Sequence, residues 1–383
     1  VQRCRIAPRP DWQQQARDVG FVHAILDGKP YWDETTYYRF TLAEIEQGLE
    51  APTETLLGMC YDAVDRILGE PALLRRLAIP QTAWDTIAAS WRRKDKDLYG
   101  RFDLRFDGTA PPKLYEFNAD TPTALFEAAV FQWNWLEQNI AHGAFAKDAD
   151  QFNSIHEKLI AALGKFGIGR RMLHIAGLRD DDEDRLTVEY LEDCARQAGL
   201  KTQLIAVSDI GVTAAGQFTD LEDRIITDLF KLYPWEWLLA EPFGQYLLRD
   251  TARIIEPAWK MVLANKGLLA VLWEMYPGHE LLLPAYFTGD PRVAALGDAC
   301  VRKPLLGREG RNIAIGGGAP TEGPYGEEGF VVQGLAELPS YRGHRPVIGS
   351  WVIGGEAAGI GIREEDGPIT SDTARFVPHV ILG

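Results

Sequence analysis

The segment Gly100 to Asn118 places four polar side chains at alternating positions on two short apolar runs. Gly100 to Phe106 and Pro112 to Asn118 alternate with a period of two around Asp107-Gly108, which predicts a β-hairpin. Residues two apart on a strand face the same side, so Arg101 shares a face with Asp103, and Glu116 with Asn118. In the expected register the four groups converge. One carboxylate from each strand plus an amide oxygen is a hard-oxygen set suited to Mg2+, which completes its shell with water and phosphate oxygens. Arg101 beside them could neutralise charge developing on a transferred phosphoryl group. A solvated outer face is the competing reading of the same alternation, and the dense polar turn Asn118-Ala119-Asp120-Thr121-Pro122 weighs against it.

Two lysines offer anion chemistry: Lys266 in Ala264 to Gly267, and Lys303 ahead of the glycine-bearing run Gly307-Arg308-Glu309-Gly310. A basic strand residue followed by a loop whose glycines admit close backbone approach is a way to cradle phosphate. It is not a Walker A motif, and a plain surface lysine is the alternative. Phe330 to Pro339 reads as a buried strand ending in a hinge at Gln333, Gly334, Leu335 and Ala336, able to offer backbone hydrogen bonds to an adenine edge; on the pattern alone an ordinary core strand is the commoner explanation. Trp351 to Gly355 and Ala358 to Arg363 read as a second hairpin, and an arginine at its end suits an anionic transition state. The seven histidines show no HxxxH or comparable ligand spacing, which disfavours a metal-dependent hydrolase.

These residues need scaffolding. Thr41 to Leu68 carries apolar residues at helical spacing (Leu42, Ile45, Leu49, Leu56, Leu57, Cys60, Val64) and predicts two helices broken near Pro52. Helices are expected at about 123–139 and 151–166. From Arg171 onward, strand, acidic turn, helix and two further strands predict a small Rossmann-like layer without a dinucleotide fingerprint. A helical stretch is expected over Glu256 to Tyr276. The fold class is therefore α/β (α+β), in three parts of one catalytic unit: 1–150, helical region and hairpin; 151–240, Rossmann-like subdomain; 241–383, nucleotide-binding region.

Composition bounds the partners. The chain has 383 residues, 46% hydrophobic and 25% charged, which is the composition of a globular chain rather than a disordered one. Its net charge of −15 (40 basic against 55 acidic residues) opposes a polyanionic nucleic acid and favours cationic solutes such as polyamines or Mg2+, unless it serves solubility alone. The four cysteines lie far apart, as expected of reduced thiols in a cytoplasm. No apolar run reaches membrane-spanning length, and no signal peptide is visible.

In this order the pieces resemble the glutathionylspermidine synthase family, ATP-grasp carbon–nitrogen ligases. The resemblance runs over nearly the whole chain: Tyr31 to Glu34, Tyr37 to Thr41, Gly100 to Asp103, Leu114 to Thr123, Lys231 with Pro234 to Glu236, Glu256-Pro257, Trp259-Lys260, Asn265-Lys266, Leu272 to Glu274 and Arg302 to Ile313. It looks like the stand-alone synthetase type, without an amidase domain. It implies an ATP-grasp fold, with ATP and Mg2+ as cofactors and a small peptide and an amine as substrates. Carried over by residue, it implies that Asp103, Glu116 and Asn118 hold Mg2+. Arg101, Asp103, Lys266, Lys303, Glu309, Gly310 and the hinge Gln333 to Ala336 hold ATP, and Arg101 and Arg363 steady the acyl phosphate transition state. Arg101, Thr121, Glu183 and Lys231 meet the peptide, and Asp184 the amine. The family's C-terminal acid for polyamine has no clear match; Asp372 and Arg375 occupy its neighbourhood. Weak activity with glutathione and spermidine is expected for that reason. A nucleotide- or polyamine-binding module is the rival reading, but such a module has no need of both arginines.

Overall fold

The computed structural model describes residues 1–26 and 28–383. Two antiparallel sheets frame its central cleft. The first has five strands in the order Arg375–Val377, Glu356–Glu365, Arg345–Ile353, Tyr99–Arg105, Lys113–Asn118. The second has four, in the order Ala285–Phe287, Phe330–Gly334, Cys300–Pro304, Ala314–Ile315. A third, four-stranded sheet is wholly parallel: Arg253–Ile255, Asp228–Lys231, Met172–Gly177, Lys201–Ala206. This is the expected Rossmann-like layer, although its outer strand comes from beyond residue 240. A small sheet of Gln2–Arg5, Thr36–Phe40 and His379–Ile381 ties the two ends of the chain together.

The first hairpin folds as its alternation demands. Phe102 opposes Phe117 and stacks on it at 3.9 Å in the core, which turns Arg101, Asp103, Glu116 and Asn118 to the other face. The connection spans residues 106–112 rather than a tight turn at Asp107-Gly108. A bulge between Asp103 and Leu104 leaves Tyr115 unpaired opposite them, and its carbonyl is free to accept from Lys303. In the neighbouring strand, Gly349 stands opposite Asp103, where a Cβ would lie 2.7 Å from Cδ of Arg101. Only glycine lets that side chain lie across the sheet.

Two helical expectations are corrected. Residues 42–69 do not break at Pro52; Leu42–Ile45 passes through a π turn, Glu46–Glu50, into Ala51–Gly69, and Pro52 sits in the first turn, where its missing N–H costs least. Residues 256–276 form two short helices, Lys260–Leu263 and Leu268–Met275, instead of one. Between them the Asn265 side chain accepts from the Gly267 N–H and donates to the Leu77 carbonyl, a local turn that competes with the helix and brings Lys266 into the cleft.

A buried ion pair fixes that turn to the hairpin. Glu256 accepts from the N–H groups of Leu98 and Tyr99 at 3.0–3.1 Å, and from Lys260 at 2.8 Å; Lys260 also donates to the Tyr99 carbonyl at 2.6 Å. Burial works against the Lys260 charge, yet Glu256 and Asp97 hold its pKa above the usual lysine value. Among the described residues no helix is long and apolar enough to cross a membrane, and all four cysteines are free. Glu256→Ala strands a buried ammonium and two backbone donors, so it is expected to cost about 3–5 kcal/mol in denaturant unfolding; a loss below about 1 kcal/mol would refute the clamp.

Candidate active site

The cleft face of the first hairpin carries a cross-strand cluster. Arg101, 4% exposed, donates through Nε to Asp103 Oδ1 at 2.7 Å and through Nη1 to the Thr123 carbonyl at 2.5 Å. Arg363, from Glu356–Glu365, donates to the other oxygen of Asp103 at 2.5 Å. The Asn118 amide lies 3.2 Å from both Asp103 Oδ2 and Glu116 Oε1. Behind Arg101 the indole of Trp351 stands 5.6 Å from the guanidinium carbon, a cation–π contact that helps hold a buried cation.

Glu116 belongs to the opposite sheet as much as to its own. Lys266 reaches it at 3.0 Å and Lys303 lies near, so although burial opposes its charge, the two lysines hold its pKa well below the usual carboxylate range. Lys303 donates to the Tyr115 carbonyl at 2.9 Å and to Gln333 Oε1 at 2.8 Å. Burial and then the neighbouring Lys266 push its own pKa down to about 8, even with Glu116 and Asp103 opposing. An incoming anion would relieve that strain.

Lys266 also donates to the Gly307 carbonyl at 2.6 Å, joining the glycine loop to the cluster. Within the loop, Glu309 and Gly310 take positive φ values of 56° and 71°, and a Cβ at Gly310 would meet the Thr370 carbonyl at 2.7 Å. Gln333 is anchored on the Leu114 carbonyl, and Gly334 donates to that of Pro284; beyond them Leu335 and Ala336 face the cleft, with Val301, Ile313 and Ile315 as apolar neighbours. That is an apolar slot ending at paired cations.

The acidic end comes from the parallel sheet. The chain leaves Met172–Gly177 through helix Asp182–Gln197 to one side and returns as Asp228–Lys231 on the other, so the carboxyl ends of these two strands flank a topological switch point. Crevices there are the usual ligand site of open α/β sheets. Glu183 accepts from the Ala124 N–H at 3.1 Å and Asp184 from that of Leu178 at 3.2 Å. Burial raises both pKa values to about 7, with the charge of Glu127 adding to the effect on Glu183.

One cleft of about 280 Å3 therefore gathers Arg101, Asp103, Glu116, Asn118, Thr121, Glu183, Asp184, Lys266, Lys303, Glu309, Gly310, Gln333 to Ala336 and Arg363. Lys231 is not on its wall. It is 1% exposed and paired behind it with Asp120, which also accepts from the Trp235 N–H at 3.0 Å. Two groups that sequence reasoning passed over do face the cleft: Arg308 bridges Thr121 Oγ1 at 2.8 Å and Glu236 at 2.7 Å, and Tyr31 lies beside the acidic end. The signal for Arg308 was its place between Gly307 and Glu309-Gly310. Among the described residues no three His, Cys, Asp or Glu side chains form a metal cluster. Asp103 and Glu116 converge on the Asn118 amide, which donates to both; with that amide turned about, its oxygen and the two carboxylates would form the hard-oxygen set that a small cation takes.

Antiparallel sheets enclosing paired lysines, with a Rossmann-like layer supplying an acidic wall, define an ATP-grasp-type enzyme. The chain belongs to the glutathionylspermidine synthase family: residues 3–382 match the family described as glutathionylspermidine synthase preATP-grasp. It is 43% identical to a Haemophilus influenzae protein named as an acid–amine ligase, with 98% of both chains covered. It is 27% identical to the bifunctional glutathionylspermidine synthetase/amidase of Escherichia coli over 91% of this chain, and 26% identical to the trypanothione synthetase of Crithidia fasciculata over 82%. It spans only 60% and 52% of the lengths of those two relatives. The fold is also similar to that of a glutathione synthetase-like effector from Globodera pallida, with a TM-score of 0.59 at 10% identity, covering 97% of this chain and 96% of that one. The protein is accordingly an ATP-dependent carbon–nitrogen ligase.

Lys303→Met removes a charge-assisted donor from the slot, so it is expected to weaken ATP binding by about 1.5–3 kcal/mol in calorimetry. Unchanged affinity would move the nucleotide elsewhere.

Proposed function

We propose that this ligase joins the carboxylate of a small, glutathione-like peptide to a primary amine through an acyl phosphate, yielding an amide, ADP and phosphate. The observation that carries the reading is that Asp103 is shared by two guanidinium groups in the same cleft as Lys266 and Lys303. Four cations lining one cleft suit a phosphoryl group in transit between two anions. Lys303 and Lys266, with the Glu309-Gly310 loop, hold the ATP phosphates, and the Gln333 to Ala336 hinge holds the base. Asp103, Glu116 and Asn118 would hold Mg2+, which when bound neutralises phosphate charge. Arg101 and Arg363 steady the transition state that leads to the acyl phosphate, and the buried setting keeps water from competing. Thr121 and Arg308 stand where the peptide enters.

The Glu183 and Asp184 wall receives the amine, since each ammonium gives up hydration only to an acceptor that replaces it. Asp372 also faces the cleft, but Arg311 lies 3.8 Å away and shares its charge. With its second anchor divided, the site favours a short amine over a long polyamine. The purified protein is therefore expected to release ADP only when both an acid and an amine are present, in a matrix of small peptides and amines. kcat/KM should be higher for a monoamine or diamine than for spermidine; a clear spermidine preference abolished by Asp184→Asn would overturn this amine assignment. ATP binding without turnover across the whole matrix would support a binding module instead.

Arg363→Ala and Arg101→Ala are expected to lower kcat by about 10²-fold or more while raising either KM only modestly, because their target charge develops in the transition state. A raised KM at unchanged kcat would reassign the arginine to binding.

A further inference from the structure

The phosphoryl end of the cleft leaves one group of buried titratable side chains unused. Glu127, in the π turn Glu127–Phe131, is 1% exposed and lies 3.1 Å from Nε2 of His23, itself buried in the short turn Val22–Ala24. Nδ1 of His23 is buried without a partner. The His23 ring packs 5.5 Å from Tyr31, and Tyr31 and Glu183 both line the cleft. Glu183 accepts from the Ala124 N–H, three residues before Glu127, whose charge acts on it, and Glu127 in turn meets His23. A carboxyl group facing substrate, backed by a second carboxylate and an imidazole with a spare nitrogen, is built to take up a proton and pass its charge change inward.

We propose that Glu183 is the proton acceptor for the attacking amine, and that Glu127, held by His23, is a positioning residue that keeps Glu183 able to take and release that proton. This rests on the ligase reading above. An amine arrives as an ammonium ion, with no lone pair to attack. Glu183 takes one N–H proton, and the freed electron pair forms the C–N bond at the acyl carbon. The C–O bond to phosphate breaks, its electrons leave with the phosphate, and the second amine proton goes to that phosphate as the amide forms. Glu183 then returns its proton to solvent. Atoms and charge balance without a further reagent.

The electrostatics agree. Burial and then the charge of Glu127 bring Glu183 to about 7, with Asp181 adding and His23 and the Ala124 N–H opposing. Burial opposes the His23 charge, but its bond to Glu127 raises its pKa. A base poised near the working pH is the one that transfers protons best.

The test exploits a nucleophile that needs no deprotonation. Hydroxylamine is neutral at pH 7 and traps acyl phosphates as hydroxamates, whereas 1,4-diaminobutane must lose a proton first. With ATP and the best acid substrate saturating, Glu183→Gln is expected to lower kcat with 1,4-diaminobutane by about 10²-fold more than it lowers the rate of hydroxamate formation. Gln keeps the contact to Ala124, so the fold is retained. Glu127→Gln removes the like charge, so it should move the acid limb of the diamine pH–rate profile to lower pH and leave the hydroxylamine profile in place. Equal loss with both nucleophiles, or no loss with the diamine, would overturn the proposal. A native enzyme that forms no ATP-dependent hydroxamate with any acid would overturn the ligase reading itself.

Discussion

Asp103 carries one negative charge between two guanidinium groups, and the cleft is arranged around that arrangement. Taken alone, a buried carboxylate with buried Arg101 and half-buried Arg363 about it is expensive, because desolvation is repaid only by near-ideal geometry. Here the geometry is supplied by the sheet. Arg101 binds both oxygens of Asp103 from two residues away on the same strand, Arg363 reaches in from another strand, and Asn118 closes the remaining side. The cluster keeps an excess of positive charge, which Lys266 and Lys303 on the facing wall enlarge. Such a surplus is costly in the resting protein and is offset when an anion occupies the gap.

The rest of the molecule holds the two walls in register. Glu256 and Lys260 tie the start of strand Tyr99–Arg105 to the segment leading to Lys266. On the far side, buried Glu364 accepts from Arg3 at 2.6 Å and Tyr38 at 2.6 Å, fixing the strand that carries Arg363 to the N-terminal sheet. Residues far apart in sequence thus set one distance, that between the arginines and the lysines. The parallel sheet adds an acidic wall at its switch point, and Arg308 ties the glycine loop to Thr121, beyond the first hairpin, and to Glu236, beyond strand Asp228–Lys231.

Much of this was legible in the sequence because strand alternation is a strong local signal. Arg101, Asp103, Glu116 and Asn118 were expected on one face, and the pairing of Arg101 with Asn118 and Asp103 with Glu116 places them there. What was not legible depends on contacts between distant segments. The break at Asn265 comes from bonds to Leu77 and Gly267, and nothing in the apolar run Leu268 to Leu272 announces it. Lys231 looked like a substrate contact by resemblance, but its burial is set by Asp120, more than a hundred residues earlier. His23 and Glu127 carry no motif at all. Their meeting is a product of tertiary packing, and only the structure shows it.

The central claim is that the cation cluster activates a carboxylate by phosphorylation before the amine attacks. The most direct measurement follows oxygen. An acid substrate carrying a heavy oxygen isotope at both carboxylate positions is turned over with ATP and amine, and the inorganic phosphate and the amide are analysed by mass spectrometry. The account predicts one labelled oxygen in each phosphate released, the other in the amide, and ADP as the only nucleotide product. Phosphate free of label, or label appearing in AMP, would contradict it.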